Sequence, residues 1–276
     1  MSELSSGKGH HDENFPVASY MLKAEHREPI LTFYAFARAA DDIADHPTAS
    51  EAEKLLLLDE MRAGLSGQGA HEAMALAKVA RERNLDLVHA KDLLHAFTQD
   101  VTQRRYRDWA ELMDYCRYSA MPVGRFVLDV HGEDRATWPL NDALCAALQV
   151  INHLQDCGKD YRDLDRVYIP LDALKAAGTS VEALGEERAS PGLKLVIKGL
   201  AAKTEKLLET SAKFAPAIRD ARLAAEVAVI QALAEDLVGL LLRRDPLSEK
   251  VHHSKLRMGG LALQAVLGHS IARARA

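Results

Sequence analysis

At 276 residues and a net charge of −5, the chain lacks the clustered Lys and Arg that bind a nucleic-acid backbone. Apolar residues make up 48%, enough for a large core, yet no uncharged run approaches the ~18 residues of a membrane-spanning helix. Cys116, Cys145 and Cys157 are odd in number and have no CxxC spacing, which suits a reducing cytoplasm better than a disulfide framework. Residues 1–11 hold no apolar stretch of the secretory kind. A soluble, cytoplasmic protein is expected.

Strand signals are missing: there is no sustained two-residue alternation and no Asn-Gly hairpin turn. Helical periodicity predicts helices over 26–45, 51–64, 70–82, 86–103, 108–131, 139–161, 192–214, 217–243 and 254–274. Pro47 ends the first, and Gly64 to Gly69 reads as a flexible loop. Asp108-Trp-Ala-Glu111 has the form of a capping box that starts the fifth. Pro122 lies inside that fifth helix, so a kink is expected near Met121. Residues 162–191 read as a loop with one short helix. No internal repeat points to a solenoid, and the expectation is one all-α domain over 1–276.

Two helix faces carry chemistry. Tyr34, Arg38, Asp41 and Asp45 are spaced i, i+4, i+7, i+11, and Gln149, Asn152, Asp156 and Asp160 run i, i+3, i+7, i+11. Each set forms one stripe about 16 Å long that ends in a D-x-x-x-D pair. Carboxylates at i and i+4 repel by ~0.2–0.5 kcal/mol, and burying them unpaired costs far more. A divalent cation reverses the sign. Mg²⁺ takes oxygen ligands, keeps several waters and bridges one or two carboxylates to substrate phosphates. One stripe alone is most simply a solvated face; two matched stripes point to a diphosphate held through shared metal ions. No HExxH or Cys/His spacing supports zinc, and one E-x-x-H (Glu249 to His252) is too few for a di-iron bundle.

The segments ENFPVAS (13–19), FYAFARAADDIAD (33–45), YCRYSAMPVG (115–124) and LQVINHLQDCGKDYRDLDRVYIP (148–170) resemble the squalene and phytoene synthase family of trans-prenyltransferases. The resemblance implies a single-domain isoprenoid synthase bundle with a central cavity. It implies that Asp41, Asp45, Asp156 and Asp160 hold Mg²⁺ and act in catalysis, and that Arg38 contacts phosphate. By the same matching, Asn152 and Gln149 line the site, while Phe15, Tyr34, Tyr115 and Tyr168 surround the reacting chains, Tyr115 in a catalytic position. Lys255 or Arg257, in the basic segment 250–257, would reach the diphosphate. Phe36, with Phe15 and Tyr115, is expected to offer π faces to a carbocation. Arg104, Arg105 and Arg107 read as solvated surface.

One departure stands out. The family's second motif reads N-x-x-R-D, whereas this chain reads Asn152-His153-Leu154-Gln155-Asp156, exchanging an Arg for Gln155. That wording is similar to the bacterial hydroxysqualene synthase branch of hopanoid biosynthesis. The branch implies ionisation of presqualene diphosphate, rearrangement of the cation and capture by water, a carbon–oxygen lyase reaction. A head-to-head condensing synthase acting on two prenyl diphosphates is the runner-up. Gln155 is the expected water-positioning residue; His153, one step off the stripe, reads as a packing group. The implied partners are a presqualene diphosphate synthase upstream and a hydroxysqualene reductase downstream. Peripheral membrane contact follows from the lipid nature of substrate and product.

Overall fold

The computed structural model describes residues 23–275. In chain order the helices are α1 (Ala24–Ala44), α2 (Glu51–Gly64), α3 (His71–Arg83), α4 (Val88–Thr102), α5 (Trp109–Ser119), α6 (Met121–Val130), α7 (Trp138–Leu164), α8 (Leu171–Ala176), α9 (Pro191–Ser211), α10 (Phe214–Ala217), α11 (Ala221–Leu241) and α12 (Lys255–Arg275). Short 3₁₀ turns occupy Arg135–Thr137 and Val181–Gly185. Among the described residues there is no β-ladder beyond a single bridge between Arg105 and Val167. The all-α expectation holds, and among the described residues no helix is long and apolar enough to cross a membrane.

Local rules explain most boundaries. Ser50 and Glu53 form a reciprocal capping box at the start of α2. Asn84 adopts a left-handed φ of 53° to end α3. The Asp108 carboxylate accepts the Glu111 N–H at 2.9 Å, so the capping residue predicted for α5 does cap it. The expected kink in 108–131 is a full break: helix ends at Ser119, Ala120 leaves helical geometry, and Pro122 enters the first turn of α6. A proline ring costs least at a helix start, where its missing N–H has no intrahelical partner to lose. Segment 64–69, expected to be flexible, instead folds back on α2, with the Ala70 N–H donating to Glu60 O at 3.2 Å. A Cβ on Gly69 would sit 2.2 Å from that same oxygen, so glycine is required.

The chain divides into two compact units. The first contains α1 to α4 and α6, around a core of Phe33, Phe36, Leu58, Met61, Leu76, Leu94 and Phe126. Phe33 and Phe126 stack at 4.0 Å between ring centroids. The second contains α5 up to Arg117 and α7 to α12, with α7, α9 and α11 packed together and α12 lying against α10 and α11. Gly158 is the close-contact point of α7. A Cβ there would meet the Leu247 methyl at 2.6 Å and the Leu184 carbonyl at 3.3 Å. Each unit carries one of the two acidic stripes.

Candidate active site

In the first unit, Tyr34, Arg38, Asp41 and Asp45 are half-buried along one side of α1, as the spacing predicts. Arg38 grips two acids: Nη1 lies 2.9 Å from Asp41 Oδ2, and Nη2 lies 2.5 Å from Asp42 Oδ1. Arg38 does not offset the crowding. Burial first, then the charge of Asp45, push the Asp41 carboxyl up to about 7, with Asp100 and Asp42 adding to the rise and Arg38 opposing it. Asp42 and Asp100 are additions to the predicted set. Asp100 sits buried on α4 in register with Leu93 and Ala96, and an acid at an apolar position was the available signal.

The donor set is carboxylate oxygen throughout, which fits a hard divalent cation. Among the described residues no three His, Cys, Asp or Glu side chains converge into a protein-only cage. Phe36 corrects an expectation. It is fully buried in the core, because it lies two residues from Tyr34 and Arg38 and therefore on the opposite side of α1. Phe15 lies outside the described residues.

In the second unit, Gln149, Asn152, Asp156 and Asp160 are half-buried along α7, while Val150, Ile151, Leu154 and Cys157 are buried behind them. The field here is negative too. Burial, followed by Asp160, Asp156 and Asp245, pushes the Cys157 thiol up to about 12. All three cysteines are free.

Beside this stripe is a cluster of four buried rings that the sequence only half revealed. Tyr115 and Tyr168, both predicted, lie 5.4 Å apart and share contacts with Tyr106 and His153. Tyr106 is 5.2 Å from Tyr115 and stacks on Tyr168 at 5.6 Å. His153 stacks on Tyr168 at 3.6 Å with planes 13° apart and sits 5.9 Å from Tyr115. A short backbone pairing assembles it. Val167 N–H donates to Arg104 O, Leu171 N–H to Tyr106 O, and Asp172 N–H to Arg107 O, at 2.9, 2.9 and 3.0 Å. Arg104 and Arg105 hold the same segment through Asp165, whose left-handed φ of 52° ends α7. Two of the arginines read as solvated surface thus fasten Tyr168 in place.

Gln155 is buried and turned toward the segment before α12. Its amide N–H₂ donates to Val251 O and lies 3.0 Å from His252 Nδ1. That carbonyl can only accept, which fixes the orientation of the amide. Further along, Asp236 of α11 accepts from Arg257 Nε at 2.6 Å and contacts His253 Nε2 at 3.0 Å. Arg257 is therefore engaged by a carboxylate the sequence did not single out, and Lys255 stands exposed at the start of α12.

Comparison with known proteins agrees with these features. The family model described as squalene/phytoene synthase matches residues 8–257. A hydroxysqualene synthase of Zymomonas mobilis is 54% identical over 269 residues, covering 96% of this chain and 91% of that protein. One from Rhodopseudomonas palustris is 56% identical over 253 residues, covering 91% and 87%. The crystal structure of squalene synthase HpnC from Alicyclobacillus acidocaldarius superposes with a TM-score of 0.74 at 31% identity, covering 84% of this chain and 89% of that one. With most of its length matched and both acidic stripes inside the match, the chain belongs to the squalene/phytoene synthase family.

Proposed function

We propose that this chain converts presqualene diphosphate and water to hydroxysqualene and diphosphate, as an Mg²⁺-dependent carbon–oxygen lyase of hopanoid biosynthesis. The observation that carries the reading is Asp41, a carboxyl crowded by Asp42, Asp45 and Asp100 despite the grip of Arg38. Such a site is electrostatically unfavourable until a cation arrives. Asp41 and Asp45 on α1, and Asp156 and Asp160 on α7, are the proposed Mg²⁺ ligands. Mg²⁺ bound there supplies Lewis-acid stabilisation to the oxygens of the departing diphosphate.

The remaining tasks fall to the chain's own side chains. Arg38 contacts phosphate oxygens, Asn152 and Gln149 add neutral hydrogen bonds, and Lys255 supplies a second cation. Tyr34, half-buried beside Arg38, offers a ring to the carbocation, while Tyr115 and Tyr168, packed in the ring cluster, wall the reacting chain off from free water. The relatives named hydroxysqualene synthase support this product over a condensing reaction. Incubating the protein with presqualene diphosphate and Mg²⁺, with mass spectrometry of the products, tests it. Hydroxysqualene is expected, and farnesyl diphosphate alone should be left unconsumed. Consumption of farnesyl diphosphate would establish the condensing synthase in its place.

The same reading includes contact with a lipid surface, made by α12. Leu256, Leu263, Leu267 and Ile271 form one exposed stripe, and the helix carries Lys and Arg but no Asp or Glu. Apolar side chains flanked by cations suit an anionic bilayer surface. Wild-type protein should sediment with phosphatidylglycerol vesicles and stay in solution with pure phosphatidylcholine. Replacing Leu263 and Leu267 by Glu should weaken sedimentation about tenfold or more. Equal partition of wild type and variant removes α12 from the contact.

A further inference from the structure

His153 and Gln155 are the two groups that set this chain's second motif apart, and the structure gives them different surroundings. Both hydrogens of the Gln155 amide are directed at Val251 O and His252 Nδ1. An amide oxygen is also a poor proton acceptor. His153 and Gln155 are equally buried, at 9% and 8% exposure, and His153 Nε2 and Gln155 Oε1 both have no hydrogen-bond partner among the described residues. The two therefore differ in basicity: an imidazole nitrogen takes up a proton far more readily than an amide oxygen. A buried polar atom left this way costs stability, and a catalytic role or a bound water is among the reasons a native protein keeps one. The His153 ring is clamped against Tyr168 at 3.6 Å and bordered by Tyr115, two residues proposed to surround the reacting chain.

We propose that His153 Nε2 holds the water that quenches the carbocation and takes its proton, so that the alcohol forms in place of an elimination product. This rests on the lyase reading above. The bond changes balance without an added reagent. The C–O bond to diphosphate breaks with both electrons going to the leaving group, and the rearranged cation is then electron-deficient at carbon. A lone pair of water forms the new C–O bond. One O–H bond breaks, its electrons stay on oxygen, and the proton passes to Nε2 and afterwards to solvent. For this the ring must carry its own hydrogen on Nδ1, leaving a lone pair at Nε2.

Charge favours the assignment. Burial, reinforced by Arg166, pushes the His153 imidazole down to about 3, so it is neutral before the reaction. A neutral ring does not repel the neighbouring carbocation, as a guanidinium in the second motif would. An oxonium ion is a far stronger acid than this imidazolium, so the proton still moves downhill. Ring stacking also restrains the imidazole, and fixed orientation is what a water-positioning acceptor needs.

The test is the partition of products from presqualene diphosphate. Each turnover passes through the cation, so the ratio of hydroxysqualene to eliminated polyenes does not depend on how much of a variant is folded. His153→Phe keeps ring stacking and removes the acceptor; its hydroxysqualene share should fall about tenfold or more, with polyenes rising to replace it. His153→Gln restores an acceptor and should recover part of the share, and it carries the test if His153→Phe does not accumulate. Gln155→Leu should leave the ratio as in wild type. An unchanged ratio in the His153 variants, or a shifted ratio in Gln155→Leu with none in His153→Phe, overturns the assignment. Wild-type protein making no hydroxysqualene would instead overturn the lyase reading itself.

Discussion

Asp41→Asn is expected to cost about 10²–10³-fold in turnover of presqualene diphosphate while making the metal-free protein harder to melt. The two effects come from one cause. In the folded chain the Asp41 carboxyl binds its proton more tightly than in the unfolded chain, about 7 against 3.8, because burial and Asp45 disfavour its charge. Between those values the folded state holds more protons, so stability is complete below pH 3.8 and is lost as pH rises through 7. Asparagine keeps the shape and removes the charge. Because the side chain is about a third exposed, solvent screening discounts the gain to about 1 kcal/mol. That corresponds to roughly 2–4 °C in melting temperature.

The gain should be largest above pH 7 and vanish near pH 4, where wild-type Asp41 is already protonated. Adding Mg²⁺ with inorganic diphosphate should raise the melting temperature of wild type and leave Asp41→Asn nearly unmoved. Thermal denaturation at two pH values, with and without the two ligands, reads all of this. A variant that melts earlier than wild type at pH 8 would show that Asp41 is a structural partner of Arg38 and carries no functional strain.

Phe36→Ala should produce the largest loss of stability. The ring is fully buried among Phe33, Leu58, Leu94 and Phe126 in the first unit's core. Truncation of such a side chain removes its transfer free energy and leaves a cavity, about 3–5 kcal/mol in all. A drop of roughly 6–20 °C in melting temperature follows. The products made by the surviving folded fraction should keep the wild-type ratio, because Phe36 points away from the acidic face. A stable variant with an altered product ratio would return Phe36 to the neighbourhood of the reacting chain.

These two residues mark how far a one-dimensional pattern reaches. That Asp41 shares a helix face with Asp45, and Asp156 with Asp160, is legible because helical spacing is a local property: the number of residues between two side chains fixes the angle between them. The same rule, applied to position 36, would have placed Phe36 on the buried side. Residue type alone groups it with Tyr115 and Phe15. Helix limits were legible to within a few residues because caps, prolines and turn glycines act over a single turn. The break at Ala120 was anticipated in place and underestimated in size.

What the sequence determined by itself is the all-helical fold, the two acidic stripes and, with the resemblance, the family. What only the tertiary structure decided is which side chains meet across long stretches of chain. Asp100 joins Asp41, Tyr106 joins Tyr115 and Tyr168, Asp236 engages Arg257, and Gln155 turns to Val251 while His153 keeps its Nε2. The physical reason is one of range. Periodicity follows from backbone geometry repeated every turn, whereas these meetings depend on how helices pack and on one pairing between residues 104–107 and 167–172. Nothing in the local pattern near His153 separates it from an ordinary core histidine; its surroundings do.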